Sequence, residues 1–283
     1  MSMTGKNKAL LPTARQLLKE KAPLIHCITN PISINDCANA LLAVGARPIM
    51  AEHPQEVEEI TATAAALAVN LGNITDARME SMLLSGRKAR VLGIPRVIDV
   101  VGVSCSGLRR AYAREWIRQC APSVIKGNIA EIKTLCGSAV SSTGIDAGEA
   151  DQLSADALAG SAAAARRLAR ESGAVILASG RTDLVTDGDT VWLAENGCAQ
   201  MARLTGTGCM QGVLTAAFLT VLSPADAALT AAVFFGVCGE QARTGQGMGA
   251  FHVRLLDALD CLPEEELQAW AQITALPLAR CID

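Results

Sequence analysis

Six short apolar runs recur along the chain, each closing in a polar or glycine-containing turn: LIHCIT at 24–29, RPIM at 47–50, ALAVNLG at 66–72, RVIDVVG at 96–102, SVIKGN at 123–128 and AVILASG at 174–180. Runs this short, bounded by turn residues, predict buried strands. INDCANALLAVG, HPQEVEEITATAAAL and ADALAGSAAAARRLARESG instead repeat apolar residues at three- and four-residue spacing, which predicts helices, with Pro54 where one can begin. Strand thus alternates with helix. The expected fold is α/β, in three layers, with a mainly parallel central sheet and helices on both faces.

A different element stands at LVTDGDTVWLAE, where Asp187-Gly188 separates two β-prone runs and predicts a hairpin after the sixth strand. From Thr205 to about Ala242, two apolar helices divide at Ser223-Pro224, and the stretch after Pro263 reads as a charged surface helix. Neither a repeat nor a long linker interrupts the pattern. Residues 1–283 are therefore expected to form a single domain, with about 1–14 as an N-terminal extension and 263–283 as a C-terminal surface tail.

Composition narrows the function. Half the residues are hydrophobic but only 3% are aromatic, so the core must come from Ala, Val, Leu and Ile. A net charge of -3 supplies no basic field for a nucleic-acid backbone. The first twenty residues lack a signal-peptide core, and later apolar runs are broken before membrane-spanning length, so the expectation is a soluble cytoplasmic protein that binds neither nucleic acid nor membrane. Ten cysteines are scattered without a CxxC pair and read as reduced, mostly core residues; His26, His53 and His252 have no zinc-ligand spacing.

In sheets of this kind, ligands collect beyond the carboxyl ends of the strands. Thr29, Asn30, Met50, Asn70, Asp99, Lys126, Asn128, Glu131 and Ser179 all stand there. So does TGTGCMQG at 205–212, a glycine turn entering an apolar helix, which is anion-site geometry although it matches neither a P-loop nor a GxGxxG fingerprint. Lys126 offers a point charge for phosphate, and Asn128, Glu131 and Asp99 offer oxygens for a water-clad magnesium ion. The structural alternatives are a cap for Asp99 and a solvated helix face for Glu131. Cys209, in the first helical turn, is expected to have its thiolate favoured and to act as a weak base, or merely to touch the substrate. As the nucleophile of a hydrolase it would need one of the three histidines beside it.

PLIHCITN, CANALLAVGARPIMAE, IDVVGV, IKGNIAEI, LVTDGD and TGTGCMQG, taken in order from about residue 15 to residue 260, resemble the hydroxyethylthiazole kinases of the ribokinase-like superfamily. That resemblance implies phosphoryl transfer from ATP, with Mg²⁺, to the hydroxyl of 4-methyl-5-(2-hydroxyethyl)thiazole, in a homotrimer with active sites between subunits. It implies Met50, Gly206 and Asn30 at the thiazole, Lys126, Ser179 and Asn128 at ATP, Asp99 and Glu131 near the metal, and Cys209 where related sugar kinases carry a catalytic aspartate. Gly206, Thr207 and Gly208 would supply the amides that hold the moving phosphoryl group. Three positions depart from the family pattern: Val100 replaces a proline, Lys126 an arginine and Ser179 a threonine, which implies a raised KM for ATP. Its superfamily neighbours, kinases for a hydroxymethylpyrimidine or pyridoxal, and a thiazole-binding protein with weakened catalysis are the competing readings.

Overall fold

The computed structural model describes residues 3–137 and 155–276. Each of the six predicted strands forms inside its predicted run: β1 (Leu24–Ile28), β2 (Arg47–Ile49), β3 (Ala66–Asn70), β4 (Arg96–Asp99), β5 (Val124–Asn128) and β6 (Val175–Ser179). All six pair in parallel. The hairpin forms as β7 (Asp183–Thr186) and β8 (Val191–Ala194), turning at Gly188, whose φ of +99° is open to glycine. Among the described residues the sheet has nine strands in the order β2-β1-β3-β4-β5-β6-β7-β8-β9, with β9 at Ile273–Leu276.

Helices fill the connections. Those predicted form as α2 (Ile34–Ala43), α3 (Val57–Thr63) and α7 (Ala155–Ser172), with α3 starting three residues after Pro54. Between them lie α4 (Asp76–Val91) and α5 (Gly107–Cys120), whose first amides are capped by the Thr75 and Ser106 hydroxyls, and α6 (Ile129–Leu135). The two apolar helices are α8 (Thr207–Phe218) and α9 (Pro224–Gln241), the latter opened by Ser223 as cap and Pro224 in its first turn. They are followed by α10 (Met248–Cys261) and α11 (Glu264–Trp270). No helix of the described residues is long and apolar enough to cross a membrane.

Strand residues alternate between two cores. Ile25, Cys27, Ala66, Ala68, Val97, Val124, Val175 and Leu177 pack on the face covered by α2, α8, α9 and α10. Ile28, Leu67, Val69, Ile98, Ile125, Ile176 and Ala178 pack on the face of α4, α5, α6 and α7. The period of two is the pleat itself.

Both chain ends depart from the expectation. The expected extension of about 1–14 is part of a longer helix, α1 (Met3–Lys21), in which Leu11, Ala14 and Leu18 are fully buried, while Arg15 donates to the carbonyls of Asp260 and Leu262. Its short polar-rich pattern, with Pro12 inside, hides the amphipathic face. At the other end, α11 buries Leu267 and leads into β9, which pairs antiparallel with β8 from Val191↔Leu276 to Ala194↔Ile273. Four residues are too few to display alternation. The nine described cysteines are free, and Cys281 lies outside the described residues.

Candidate active site

Asn70, Asp99 and Lys126 lie side by side on β3, β4 and β5, paired as Asn70↔Asp99 and Asp99↔Lys126. By strand parity they share the face of Ala68, Val97 and Val124, the face that α8 covers. Asp99 Oδ2 accepts from Lys126 Nζ at 3.2 Å and from Asn70 Nδ2 at 3.0 Å. Asn70 Nδ2 also reaches Cys209 Sγ at 3.3 Å, and Asn30 Nδ2 reaches the same sulfur at 3.1 Å. Asn30 Oδ1 meanwhile accepts the Ile32 and Ser33 amides, which fixes the turn after β1. A polar row on the sheet is thus joined to the first turn of the helix above it.

That turn needs its glycines. Gly206, with φ +88°, caps α8, and a Cβ there would sit 2.9 Å from Ser33 Cβ. On Gly208 a Cβ would come within 2.9 Å of Lys126 Nζ, so the buried ammonium lies directly against the turn. Thr207 turns its hydroxyl away, donating to the Met201 and Leu204 carbonyls, which leaves its backbone as its contribution at the helix start. An ammonium under the positive end of a helix is an arrangement that suits an anion, although here Asp99 already pairs with it.

Burial governs the charges. Lys126 is 3% exposed, and although burial opposes its charge, the neighbouring acidic groups, Asp99 foremost, outweigh that and hold it above the ordinary lysine range. Burial raises Asp99, with Lys126 and Asn70 pulling against it. Cys209 is also raised, first by burial and then by the neighbouring Asp99, against Ser33, Lys126 and Asn30. This runs against the expectation of a favoured thiolate: burial first, and then the Asp99 carboxylate, disfavour the charged sulfur. Asp99 Oδ1 has no partner among the described residues, and Asp99, Thr29, Asn70 and Cys209 help to line a cavity of about 10 Å³, the space of about one water.

Glu131 is not a solvated helix residue. It is 2% exposed and, with Asn128, forms a capping box: Asn128 Oδ1 accepts the Glu131 amide, and Glu131 Oε2 accepts the Asn128 amide. Its Oε1 accepts the Gly102 amide, and burial pushes its carboxyl up to about 7. Asn128 thus has a structural duty as well as the nucleotide role expected of it. Ser179 ends β6 opposite Asn128 and donates weakly to the Gly127 carbonyl at 3.4 Å. Met50 follows β2, half-buried against the α8-side core. Val100 donates its amide to the Lys126 carbonyl at 2.8 Å, a bond that a proline there would lack.

The histidines stand elsewhere. His26 bonds Thr61 and the Ala51 carbonyl, His53 accepts the Gln55 amide, and His252 pairs with Asp36 at 2.8 Å, so the bonding partners of Cys209 do not include the base a hydrolase needs. The Asp36–His252 pair brings α2 to α10 across 216 residues, a contact with no local sequence signal.

The family model for the hydroxyethylthiazole kinase family matches residues 16–265. Hydroxyethylthiazole kinase 2 of Clostridium botulinum is 46% identical over 251 residues, covering 89% of this chain and 95% of that protein. Hydroxyethylthiazole kinase 1 of Methanosphaera stadtmanae is 35% identical over 272 residues, covering 92% and 95%. The solved hydroxyethylthiazole kinase of Pyrococcus horikoshii superposes with a TM-score of 0.86 at 32% identity, covering 95% of this chain and all of that one. A pyridoxal kinase from Staphylococcus aureus, solved with AMP-PCP and pyridoxal, shares the fold at a TM-score of 0.60 and 13% identity. Such identity over nearly the whole of both chains, on one ribokinase-like fold, makes this chain a member of the hydroxyethylthiazole kinase family.

Proposed function

We propose that the protein transfers the γ-phosphoryl group of ATP to the hydroxyl of 4-methyl-5-(2-hydroxyethyl)thiazole, a salvage step toward thiamin in the cytoplasm. The observation that carries this reading is the glycine turn of α8 lying against the Lys126 ammonium at the carboxyl ends of parallel strands. Phosphoryl transfer passes through a loose transition state, so alignment and charge stabilisation on the oxygens supply most of the acceleration. The Gly206, Thr207 and Gly208 amides and Lys126 stabilise that charge, while Ser179 and Asn128 hold the nucleotide.

Met50, Gly206 and Asn30 form the thiazole side. Cys209 meets the alcohol as a neutral thiol, because burial and Asp99 raise its pKa. The alcohol oxygen bonds phosphorus as the bridging β–γ bond breaks, and the alcohol proton leaves late, to an oxygen of the transferred phosphoryl group. Magnesium bound with the nucleotide would neutralise phosphate oxygens; Asp99, whose Oδ1 has no partner among the described residues, and Glu131, whose two oxygens already accept backbone amides, would suit contact through its water shell. A homotrimer with active sites between subunits is the assembly proposed.

ADP release from MgATP and the thiazole alcohol, with the phosphorylated product identified by mass, tests the reading. Turnover with pyridoxal or a hydroxymethylpyrimidine and none with the thiazole would overturn it.

A further inference from the structure

Three residues, Gly180, Arg181 and Thr182, join β6 to β7, immediately after Ser179. Their turn is held on several sides. A Cβ on Gly180 would lie 2.9 Å from Ile129 Cδ1, so the turn packs against the first residue of α6. Asp183 Oδ1 accepts the Gly180 amide at 2.9 Å, which closes the turn from within. The other oxygen of the same carboxylate accepts from Gln211 Nε2 at 2.5 Å, and Gln211 is 5% exposed on α8, two residues beyond Cys209.

One carboxylate therefore ties the turn after β6 to the helix whose first turn forms the anion seat. Its field also reaches Lys126, which favours the Asp183 anion. A buried amide aimed at a carboxylate is a costly arrangement to leave unmade, so the tie fixes distance as well as orientation.

We infer that Asp183, through Gln211, is a positioning residue that sets the nucleotide-holding turn at Ser179–Gly180 against the phosphoryl-transfer turn of α8. The inference rests on the nucleotide role proposed for Ser179. Asp183 acts through the Gly180 amide and Gln211, to which its two oxygens bond. Its loss lets the turn drift relative to the anion seat, and nucleotide binding suffers while the thiazole side, built from β1, β2 and Gly206, does not.

Calorimetric binding of a non-hydrolysable ATP analogue with magnesium, and separately of the thiazole alcohol, tests this on the full chain. Asp183→Ala should weaken the analogue about tenfold and leave thiazole affinity within about twofold, and the KM for ATP should rise in step. Asp183→Asn should return analogue affinity to within about threefold of the parent, because Gln211 can turn its amide over and present its oxygen to the new donor. Gln211→Ala should repeat the effect of Asp183→Ala and serves if that variant does not fold. Unchanged analogue affinity in both alanine variants would overturn the inference. So would equal losses for both ligands with no recovery in Asp183→Asn, which mark a merely structural role. A parent protein that binds the analogue but phosphorylates no thiazole would sink the proposed substrate and leave this comparison decisive for Asp183.

Discussion

Asp99 and Lys126 face each other across adjacent parallel strands and join at 3.2 Å, each at most 3% exposed, under the first turn of α8. Neither charge has bulk water to fall back on. The pair is therefore a commitment of the fold as well as a part of the site.

Lys126→Met should destabilise the protein by about 3–5 kcal/mol, because it strands the Asp99 carboxylate in the interior. Lys126→Met combined with Asp99→Leu should cost clearly less than the two single changes added together, as measured by urea unfolding. Strict additivity would mean that the two charges do not interact.

Cys209→Ser should keep turnover within about threefold, since a hydroxyl can replace a neutral thiol as a hydrogen-bonding contact. Steady-state kinetics at saturating thiazole decide it. A fall of about a hundredfold or more would reinstate the thiolate as base.

Gly206 and Gly212 should respond differently to alanine. At Gly206 the positive φ and the 2.9 Å approach to Ser33 Cβ forbid a side chain, and Gly206→Ala should cost about 1–2 kcal/mol and at least about tenfold in kcat. At Gly212 the added carbon would lie 3.5 Å from Asp99 Oδ2, an ordinary contact inside a helix, and Gly212→Ala should be tolerated. Equal losses in melting temperature and kcat would contradict this account of the turn.

Asp183 links stability to pH. Burial pushes its carboxyl up to about 6, against the Gly180 amide, Gln211 and Lys126. With the folded value above the unfolded one, its stabilising proton uptake is complete below about pH 4 and is lost as pH rises through 6. Wild type compared with Asp183→Asn should lose relative stability between pH 4 and pH 7, on the order of 2 kcal/mol given that the residue is partly solvated. A pH-independent difference in unfolding free energy would exclude the shift.

The strands were legible because each carries its own signal, an apolar run ended by a turn residue. Strand-end polar residues such as Asp99 and Lys126 were legible for the same reason, since the sheet's handedness of connection brings those ends together. The ionisation state of Cys209 was not. A helix terminus is visible in sequence, whereas the carboxylate brought beside it from β4 is set by register. Asp183 and Gln211 escaped notice likewise, because their bond joins a turn to a helix face 28 residues on and leaves no periodicity. The strand β9 and the buried stripe of α1 were missed because one is too short and the other too polar to show a pattern.

The seat of α1 has a consequence for the order in which the protein can take shape on the ribosome. Helix α1 packs against α8, α9, α11 and β9, and Arg15 finds its acceptor 247 residues later. At about 5–20 residues per second, that interval is roughly 12–50 seconds of translation. The parallel strands can assemble locally during it, but α1 must wait with its apolar stripe uncovered. Chaperone occupancy of nascent chains should therefore persist on α1 until α11 and β9 emerge.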